Sequence, residues 1–489
     1  MRFARLAISL ALAMMVGVAP RAGADEMDEI ERKGKALLEQ LQQELDAARR
    51  ERQKLEAERQ QLEAERRRLE AERQAAPAAT AGAEPALAEK AETERKVDIL
   101  ASEIEQLKTN VAVPPTYDYK SQYGLGPAAS KVYSVARGLS IGGYGEFTYT
   151  NPVSHTRGTD DRADALRFVL YTGYKFSDRI VFNSEIEFEH GTTSATVSSG
   201  GGEVSVEFAY LDFLKAFDQD WLNLRAGLVL VPLGFINELH EPVFFFGVNR
   251  PEVERQLIPT TWREIGAGFF GEMGDFEYRG YALTSLNADG FTASGLRGGR
   301  QQGNRALANG GGGAGRLDYT PSWAKGLLVG ASVFAGNTTQ DQPEFGNANG
   351  WLTLADAHAQ YEWKGLHLRG LAAFAFLDDA RSIGNAVDQT VANQMEGHYL
   401  EAAYDIMPLI LPEYDRQYLA PFVRYEHLDT QWHVPAGLSP DETKDFDSYV
   451  LGLSYKPHPQ VVLKFDYRAF NQKKGERADD INLGLGFVF

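Results

Sequence analysis

Apolar and polar residues alternate with a period of two through the second two-thirds of the chain. In the last predicted strand, Leu483, Leu485 and Phe487 lie on one face, and Asn482 and two glycines lie on the other. Such alternation places one face of a strand against an apolar environment and the other against a polar one. The chain ends on an aromatic residue of this strand, Phe489, which we predict to be the barrel-assembly signal, recognised by the barrel assembly machinery.

The same alternation recurs in strands far apart along the chain. Between residues 180 and 189, apolar residues alternate with acidic ones, and between residues 463 and 468 they alternate with charges of both signs. Charges fall on one face only, as expected where a charge facing lipid at the midplane costs about 2–4 kcal/mol. The side chains predicted to face a barrel lumen are Glu185, Glu187, Arg225, Lys464 and Arg468.

The connections between these strands predict their number. Seven short turns, from 177–178 to 457–459, alternate with eight longer loops, from 150–164 to 471–479. Strict alternation of short and long connections predicts an all-β transmembrane barrel of about 16 antiparallel strands, spanning residues 139–489. A barrel of this size leaves an aqueous channel, whereas about eight strands would be filled by their own side chains.

The N-terminal region has a different composition. Two arginines, a short apolar run and Ala22-Gly23-Ala24 predict a signal peptide at residues 1–24. Residues 25–110 are rich in Glu, Arg, Leu and Ala with a seven-residue near-repeat, which predicts a periplasmic α-helical coiled coil, interrupted by a Pro/Ala linker at 75–86. A charged helix that packs on nothing is the alternative interpretation. Residues 111–138 are predicted to link this region to the barrel.

Composition restricts the chemistry that the chain can perform. The 489 residues include no cysteine, which excludes disulfides and cysteine-based metal or thiol chemistry. Pairs of His and Glu lack a third ligand at a fixed spacing, so we predict no metal site, no cofactor and no catalytic residue. Glu matches Arg throughout the helical region, and export also argues against a nucleic-acid partner.

Three segments of the barrel region resemble a known family. They are residues 139–146, which open the barrel, residues 224–234, which enter the third loop, and residues 263–271, which leave it. In these segments the chain resembles the phosphate-selective porin O and P family, including relatives with an N-terminal coiled coil. The resemblance implies a passive, homotrimeric channel in the outer membrane of a Gram-negative bacterium, with a third loop that folds inward as a constriction.

The third loop, residues 232–262, is the longest connection and carries the candidate constriction. Polar groups of both signs across a narrow pore select solutes by charge and size. The arginines predicted to face solute are Arg250, Arg255 and Arg263. The other candidate constriction residues are Glu238, His240 and Glu252.

The net charge leaves the ion preference open. Residues 139–489 contain 28 Lys and Arg against 45 Asp and Glu, so −17 of the formal charge of −18 lies in the barrel region. The resemblance implies a ladder of arginines and a cluster of lysines in the channel, but this ladder has no residue-by-residue match here. Because lining charges rather than total charge set ion preference, a general or cation-tolerant porin fits equally well.

Two non-enzymatic functions follow from the sequence, both in contact with outer-membrane lipid. The first is a porin through which small hydrophilic solutes and ions diffuse passively, with anions such as phosphate among the candidates. The second is a structural anchor whose periplasmic stalk contacts peptidoglycan, with little or unselective channel activity. Conductance in a planar bilayer separates the two.

Overall fold

The computed structural model describes residues 120–153, 160–192, 201–411 and 417–489. These residues form a closed barrel of 16 antiparallel strands, in which each strand pairs with its neighbours in sequence and the first strand pairs with the last. The prediction of a 16-stranded antiparallel barrel is therefore confirmed. The predicted signal peptide, the predicted coiled coil and the first part of the predicted linker lie outside the described residues.

The strands are β1 (Gly138–Pro152), β2 (Arg162–Lys175), β3 (Ile180–Glu189), β4 (Val204–Phe213), β5 (Asn223–Leu230), β6 (Arg263–Met273), β7 (Phe276–Thr284), β8 (Gly311–Tyr319), β9 (Leu327–Asn337), β10 (Trp351–Trp363), β11 (Leu366–Leu377), β12 (Gln394–Tyr404), β13 (Tyr418–His433), β14 (Asp445–His458), β15 (Val461–Gln472) and β16 (Asp480–Val488).

Helices in the described residues are short. They are α1 (Lys131–Ser134), α2 (Ala380–Val387) and α3 (Met407–Ile410), with 3-10 turns at Ala216–Asp218, Ala288–Gly290, Arg297–Gly299, Pro343–Phe345 and Glu442–Lys444 and one π-helical turn at Val253–Leu257. None of the helices that the structure describes is long and apolar enough to cross a membrane.

The two ends of the barrel differ in their connections. Short connections follow the even-numbered strands, as between β6 and β7 at residues 274–275, and define what we call the short-turn end. Long connections follow the odd-numbered strands, as between β5 and β6 at residues 231–262, and define the long-loop end. The alternation that the sequence indicates is present with an exception: the connection between β12 and β13 at the short-turn end, residues 405–417, is longer than the connection between β15 and β16 at the long-loop end, residues 473–479.

The two faces of the wall differ as sharply as its ends. In β15, Leu463 and Phe465 are each 44% exposed on the outside, whereas Lys464 and Asp466 point inward and are almost fully buried. Aromatic side chains on the outside lie near both ends of the barrel, and Phe217 and Trp323, at the short-turn end, are the most exposed. The inner face is polar, yet much of it is covered by chain that fills the lumen.

Closure of the barrel uses the last residue of the chain. The backbone N–H of Phe489 donates to the carbonyl oxygen of Gly143 at 2.9 Å, and the N–H of Gly143 donates to the carbonyl of Phe489 at 3.1 Å. Its ring stacks against that of Phe168, with centroids 6.3 Å apart. The role of Phe489 as an assembly signal stays a prediction.

Candidate functional site

The third loop, residues 231–262 between β5 and β6, folds into the barrel. Its apolar residues Leu233, Ile236, Leu257 and Trp262 are buried inside the lumen together with several of its carboxylates. A buried loop must find partners for its backbone polar groups, because an unpaired buried N–H or C=O costs free energy. Those partners are groups of the loop itself and charged side chains on the inner wall of the barrel.

The first half of the loop is bound at a tight turn. The N–H of Gly234 donates to the Asp356 carboxylate at 3.1 Å, and the guanidinium of Arg316 donates to the carbonyl of Gly234. Gly234 has a φ of +63°, and a Cβ there would lie 2.7 Å from the Glu254 carboxylate. Both the backbone conformation and the lack of space for a side chain therefore require glycine. Wall strands β8 and β10 therefore set the path of the loop.

Glu254 joins the two halves of the loop. Its Oε2 accepts from the backbone N–H of Phe235 at 2.8 Å and of Ile236 at 2.5 Å, and its Oε1 accepts from the Tyr399 hydroxyl at 2.6 Å. The carboxylate is fully buried, and burial raises its pKa. Three donors therefore depend on one side chain.

The second half of the loop is bound to the opposite wall. The N–H of Val248 donates to Asp466 at 2.6 Å, and the N–H of Val253 donates to Glu426 at 2.8 Å. The Lys464 ammonium donates to the carbonyl of Gly247 at 2.9 Å. These contacts, together with those of Asp356 and Arg316, show that the loop spans the lumen from β8 and β10 to β13 and β15.

Two of the predicted constriction residues lie against the wall. The buried carboxylate of Glu238 is 3.2 Å from Arg279 and 4.0 Å from Arg316, both wall residues. The imidazole Nε2 of His240 is 3.1 Å from the carboxylate of Glu185, another predicted lumen residue. These side chains lie in the lumen, and the structure uses them as anchors of the loop.

Glu252 is the most heavily shared carboxylate of the loop. It contacts Arg255 at 2.6 Å, Arg477 at 2.9 Å and Arg468 at 3.4 Å, and Arg468 also binds Asp480. Burial alone would raise its pKa, but the charges of Arg255, Arg477 and Arg468 lower the pKa of Glu252 to about 2. The single negative charge of Glu252 is thus shared by three guanidinium groups.

The remaining predicted residues on the strands form ion pairs with other strands, Arg225 and Glu187 with a neighbouring strand and Arg263 of β6 with β4, across β5. Arg225 contacts Asp212 at 2.8 Å, and Glu187 contacts Arg167 at 3.0 Å. Arg263 contacts Glu207 at 2.8 Å and is almost fully buried.

A group of arginines has fewer carboxylate partners. We define the arginine cluster as Arg250, Arg255, Arg297 and Arg300, each only partly buried. Arg250 donates to the carbonyl of His240 at 3.3 Å. Within the described residues, Arg255 alone of the four forms an ion pair. The cluster therefore carries an excess of positive charge.

The fourth loop, residues 285–310 between β7 and β8, supplies two members of the cluster. Arg297 donates to the carbonyls of Arg255, at 2.9 Å, and Thr260, and Arg300 donates to the carbonyl of Thr261 at 2.9 Å. Burial, followed by the positive charges of Arg300, Arg255 and Arg250, lowers the pKa of Arg297 to about 9. Sequence reasoning did not identify either residue, because their loop is glycine-rich and has no periodicity.

In residues 120–153, 160–192, 201–411 and 417–489, no group of three or more His, Asp or Glu side chains is arranged to hold a metal ion. The polar side chains of the lumen instead form ion pairs and bind backbone groups.

Comparison with solved structures gives similarities to outer-membrane proteins at low sequence identity. Salmonella typhi OmpF in complex with daunomycin is 14% identical, with 72% of this chain and 98% of that chain covered and a TM-score of 0.46. The anion-selective porin from Comamonas acidovorans is 10% identical, with 72% and 99% covered and a TM-score of 0.45. The outer membrane channel DcaP of Acinetobacter baumannii is 10% identical, with 72% and 97% covered and a TM-score of 0.45.

Sequence comparison gives a family without an assigned activity. No protein-family model matches the chain. An uncharacterized protein of Aquifex aeolicus is 37% identical over 397 residues, which cover 78% of this chain and 87% of that protein. At this identity and coverage, the chain belongs to the same family as the uncharacterized Aquifex aeolicus protein.

Proposed function

We propose that the protein is an outer-membrane porin that allows passive diffusion of small hydrophilic solutes and ions. The observation that carries this proposal is the contrast between the two faces of the closed barrel. The outside exposes leucine, valine and phenylalanine along the strands, with aromatic residues near the ends, as in barrels surrounded by lipid. The inside carries paired charges, which only water or other polar groups would tolerate.

The proposal includes a preference for anions. The arginine cluster combines two residues of the third loop with two of the fourth, and its side chains belong to partly buried residues, so solute passing the loop meets an excess of positive charge. Lining charges set the selectivity of a pore, whereas the acidic total of the chain does not. Phosphate is one candidate solute, because guanidinium forks match its oxygens.

The structural-anchor function is the second candidate, and one observation favours it. The third loop and residues 120–137 occupy much of the lumen through buried contacts, as expected of a barrel that conducts little. In both candidates, we propose that residues 1–24 direct export, that residues 25–110 form a periplasmic stalk touching peptidoglycan, and that the barrel assembles as a homotrimer. The heptad pattern and the resemblance to the porin family support the stalk and the trimer.

A planar-bilayer measurement on the purified full chain tests the proposal. A porin gives discrete ohmic conductance steps, and a structural anchor gives none. With a tenfold salt gradient across the bilayer, the sign of the reversal potential reports anion or cation preference, and the same measurement in phosphate and in chloride tests the candidate solute. Absence of conductance from protein that has inserted into the bilayer would favour the anchor.

A further inference from the structure

Residues 120–137, which precede β1, lie inside the barrel at its short-turn end. Their apolar side chains Leu125, Ala128, Ala129 and Val132 are all at most 3% exposed. A Cβ built on Gly173 of the wall would meet the Val132 side chain at 2.5 Å, so the segment lies directly against β2. We call residues 120–137 the inner segment.

The inner segment is bound to the wall close to the short turns. The amide of Asn183 donates to the carbonyl of Ala129 at 3.0 Å, and the ammonium of Lys175 donates to the carbonyl of Val135 at 2.9 Å. Both wall residues lie within four positions of the short connection between β2 and β3.

A buried polar cluster fixes the side chain of Tyr133. Its hydroxyl donates to the Asp212 carboxylate at 2.6 Å and accepts from the Arg225 guanidinium at 3.3 Å. Asp212 and Arg225 lie at the ends of β4 and β5 that join through the short connection of residues 214–222. The segment is thus tied to four successive wall strands, β2 to β5.

The third loop holds the other side of the inner segment. The carboxylate of Glu241 accepts from the backbone N–H of Ala128 at 2.9 Å and of Ala129 at 3.1 Å. A Cβ on Gly126 would lie 2.4 Å from this carboxylate, so the inner segment and the third loop pack directly against each other. The inner segment and the third loop are therefore in direct contact, with the inner segment toward the short-turn end and the third loop entering from the long-loop end.

From this geometry we propose that the inner segment is a second constriction, in series with the third loop, that limits the size of solute the channel passes. The inference rests on the proposed porin function. The third loop and its arginines select by charge, and the inner segment, whose contacts with wall and loop are mainly apolar or through backbone groups, selects by size.

Substitution inside the segment tests the proposal on the full chain. Ala129→Asp places a carboxylate at a buried position beside Glu241, and repulsion displaces the segment. Ala136→Asp adds the same charge to the exposed end of the segment and is the matched control. We expect Ala129→Asp to roughly double the single-channel conductance, as when one of two similar resistances in series is removed, and to admit larger neutral sugars in liposome swelling. Ala136→Asp should match the wild type.

A second variant covers the case in which Ala129→Asp fails to fold. Tyr133→Ala removes the ring that fills the space beside Asp212 and Arg225 but leaves their ion pair in place. It should raise conductance and sugar uptake by less than Ala129→Asp, with the ratio of anion to cation permeability unchanged. Wild-type conductance and sugar cut-off in every folded variant would overturn the second constriction alone. Absence of current from all forms, wild type included, would overturn the porin function and this inference with it.

Discussion

The charged groups around the third loop fall into two regions that differ in burial and in the partners that their charged groups contact. The anchoring carboxylates Glu238, Glu241 and Glu254 are at most 6% exposed. Glu241 and Glu254 accept from backbone N–H groups, and Glu238 forms an ion pair with Arg279 of the wall. In the arginine cluster, by contrast, the Arg255 side chain is 41% exposed, and the group has more positive charges than carboxylates. Charge in the lumen thus has two uses: fully buried carboxylates hold the loop, and the partly buried arginines, which outnumber their carboxylate partners, remain for solute.

The difference between the two regions predicts which substitutions affect folding and which affect only conduction. Removing a buried acceptor leaves donors unsatisfied in an environment without water, and each unsatisfied donor costs about 1–3 kcal/mol. Replacing an arginine of the cluster by a side chain that can still donate to the loop carbonyls leaves no buried group without a partner. Stability and ion selectivity should therefore respond to different residues.

The largest effect is expected at Glu254. In Glu254→Ala, the N–H groups of Phe235 and Ile236 and the Tyr399 hydroxyl lose their acceptor, which should destabilise the loop by about 4 kcal/mol. Limited proteolysis of the detergent-folded barrel should then cut within residues 231–262, where the wild type resists. Glu254→Gln keeps one acceptor oxygen and should lie between the two. Glu344→Ala, at an exposed position, is the control, and equal protection of all four proteins would refute the anchoring role.

The barrel itself could be predicted from sequence because the pattern that specifies it lies within each strand and in the length of each connection. Alternation in β15 predicts that Leu463 and Lys464 lie on opposite faces, and the lengths of the connections predict the number of strands. The loop contacts could not be predicted in this way, since a lumen-facing carboxylate such as Glu185 has the same sequence pattern whether it faces water or His240. Glu185 and His240 are 55 positions apart in the sequence, and their contact depends on the path of an irregular loop.

The fourth loop and the inner segment show a second limit of sequence reasoning. Arg297 and Arg300 lie among glycines in a connection without periodicity, so nothing indicated that they reach the third loop. The sequence predicts a link between regions at residues 111–138, because a few apolar residues among glycines and prolines form no helical or strand pattern, and nothing indicates that residues 120–137 lie inside the barrel. In both cases the missing information is tertiary: which irregular segment returns to which part of the lumen.

A smaller effect, dependent on pH, is expected at Glu252. Its pKa is lowered in the folded protein to about 2 by three arginines, against a usual value of 4.5. A lowered folded-state pKa contributes stability that is complete above the unfolded-state pKa and is lost as the pH falls through the folded one. The contribution, about 3 kcal/mol, should therefore be intact at pH 7, partly lost near pH 3 and absent near pH 2.

Urea unfolding of the detergent-solubilised barrel measures this contribution. The difference in unfolding free energy between the wild type and Glu252→Gln should follow that pH course, whereas Glu344→Gln should show no difference at any pH. A difference between the wild type and Glu252→Gln that stays constant from pH 7 to pH 2 would show that the three arginines do not act through the charge of Glu252.

The smallest effect in free energy is expected in the arginine cluster, and it should appear in selectivity alone. Arg297→Gln with Arg300→Gln removes two positive charges beside the third loop but keeps side chains that can donate to the Thr260 and Thr261 carbonyls. Two screened charges beside the path of an ion change its energy by about 1 kcal/mol. The ratio of anion to cation permeability should therefore fall roughly fivefold when they are removed. Arg305→Gln, at an exposed position of the same loop, is the control. The reversal potential in a salt gradient measures the ratio, and resistance to protease should stay at the wild-type level. If the double variant instead lost protease resistance and kept its selectivity, these arginines would belong with the anchoring groups, and the division between the two regions would fail.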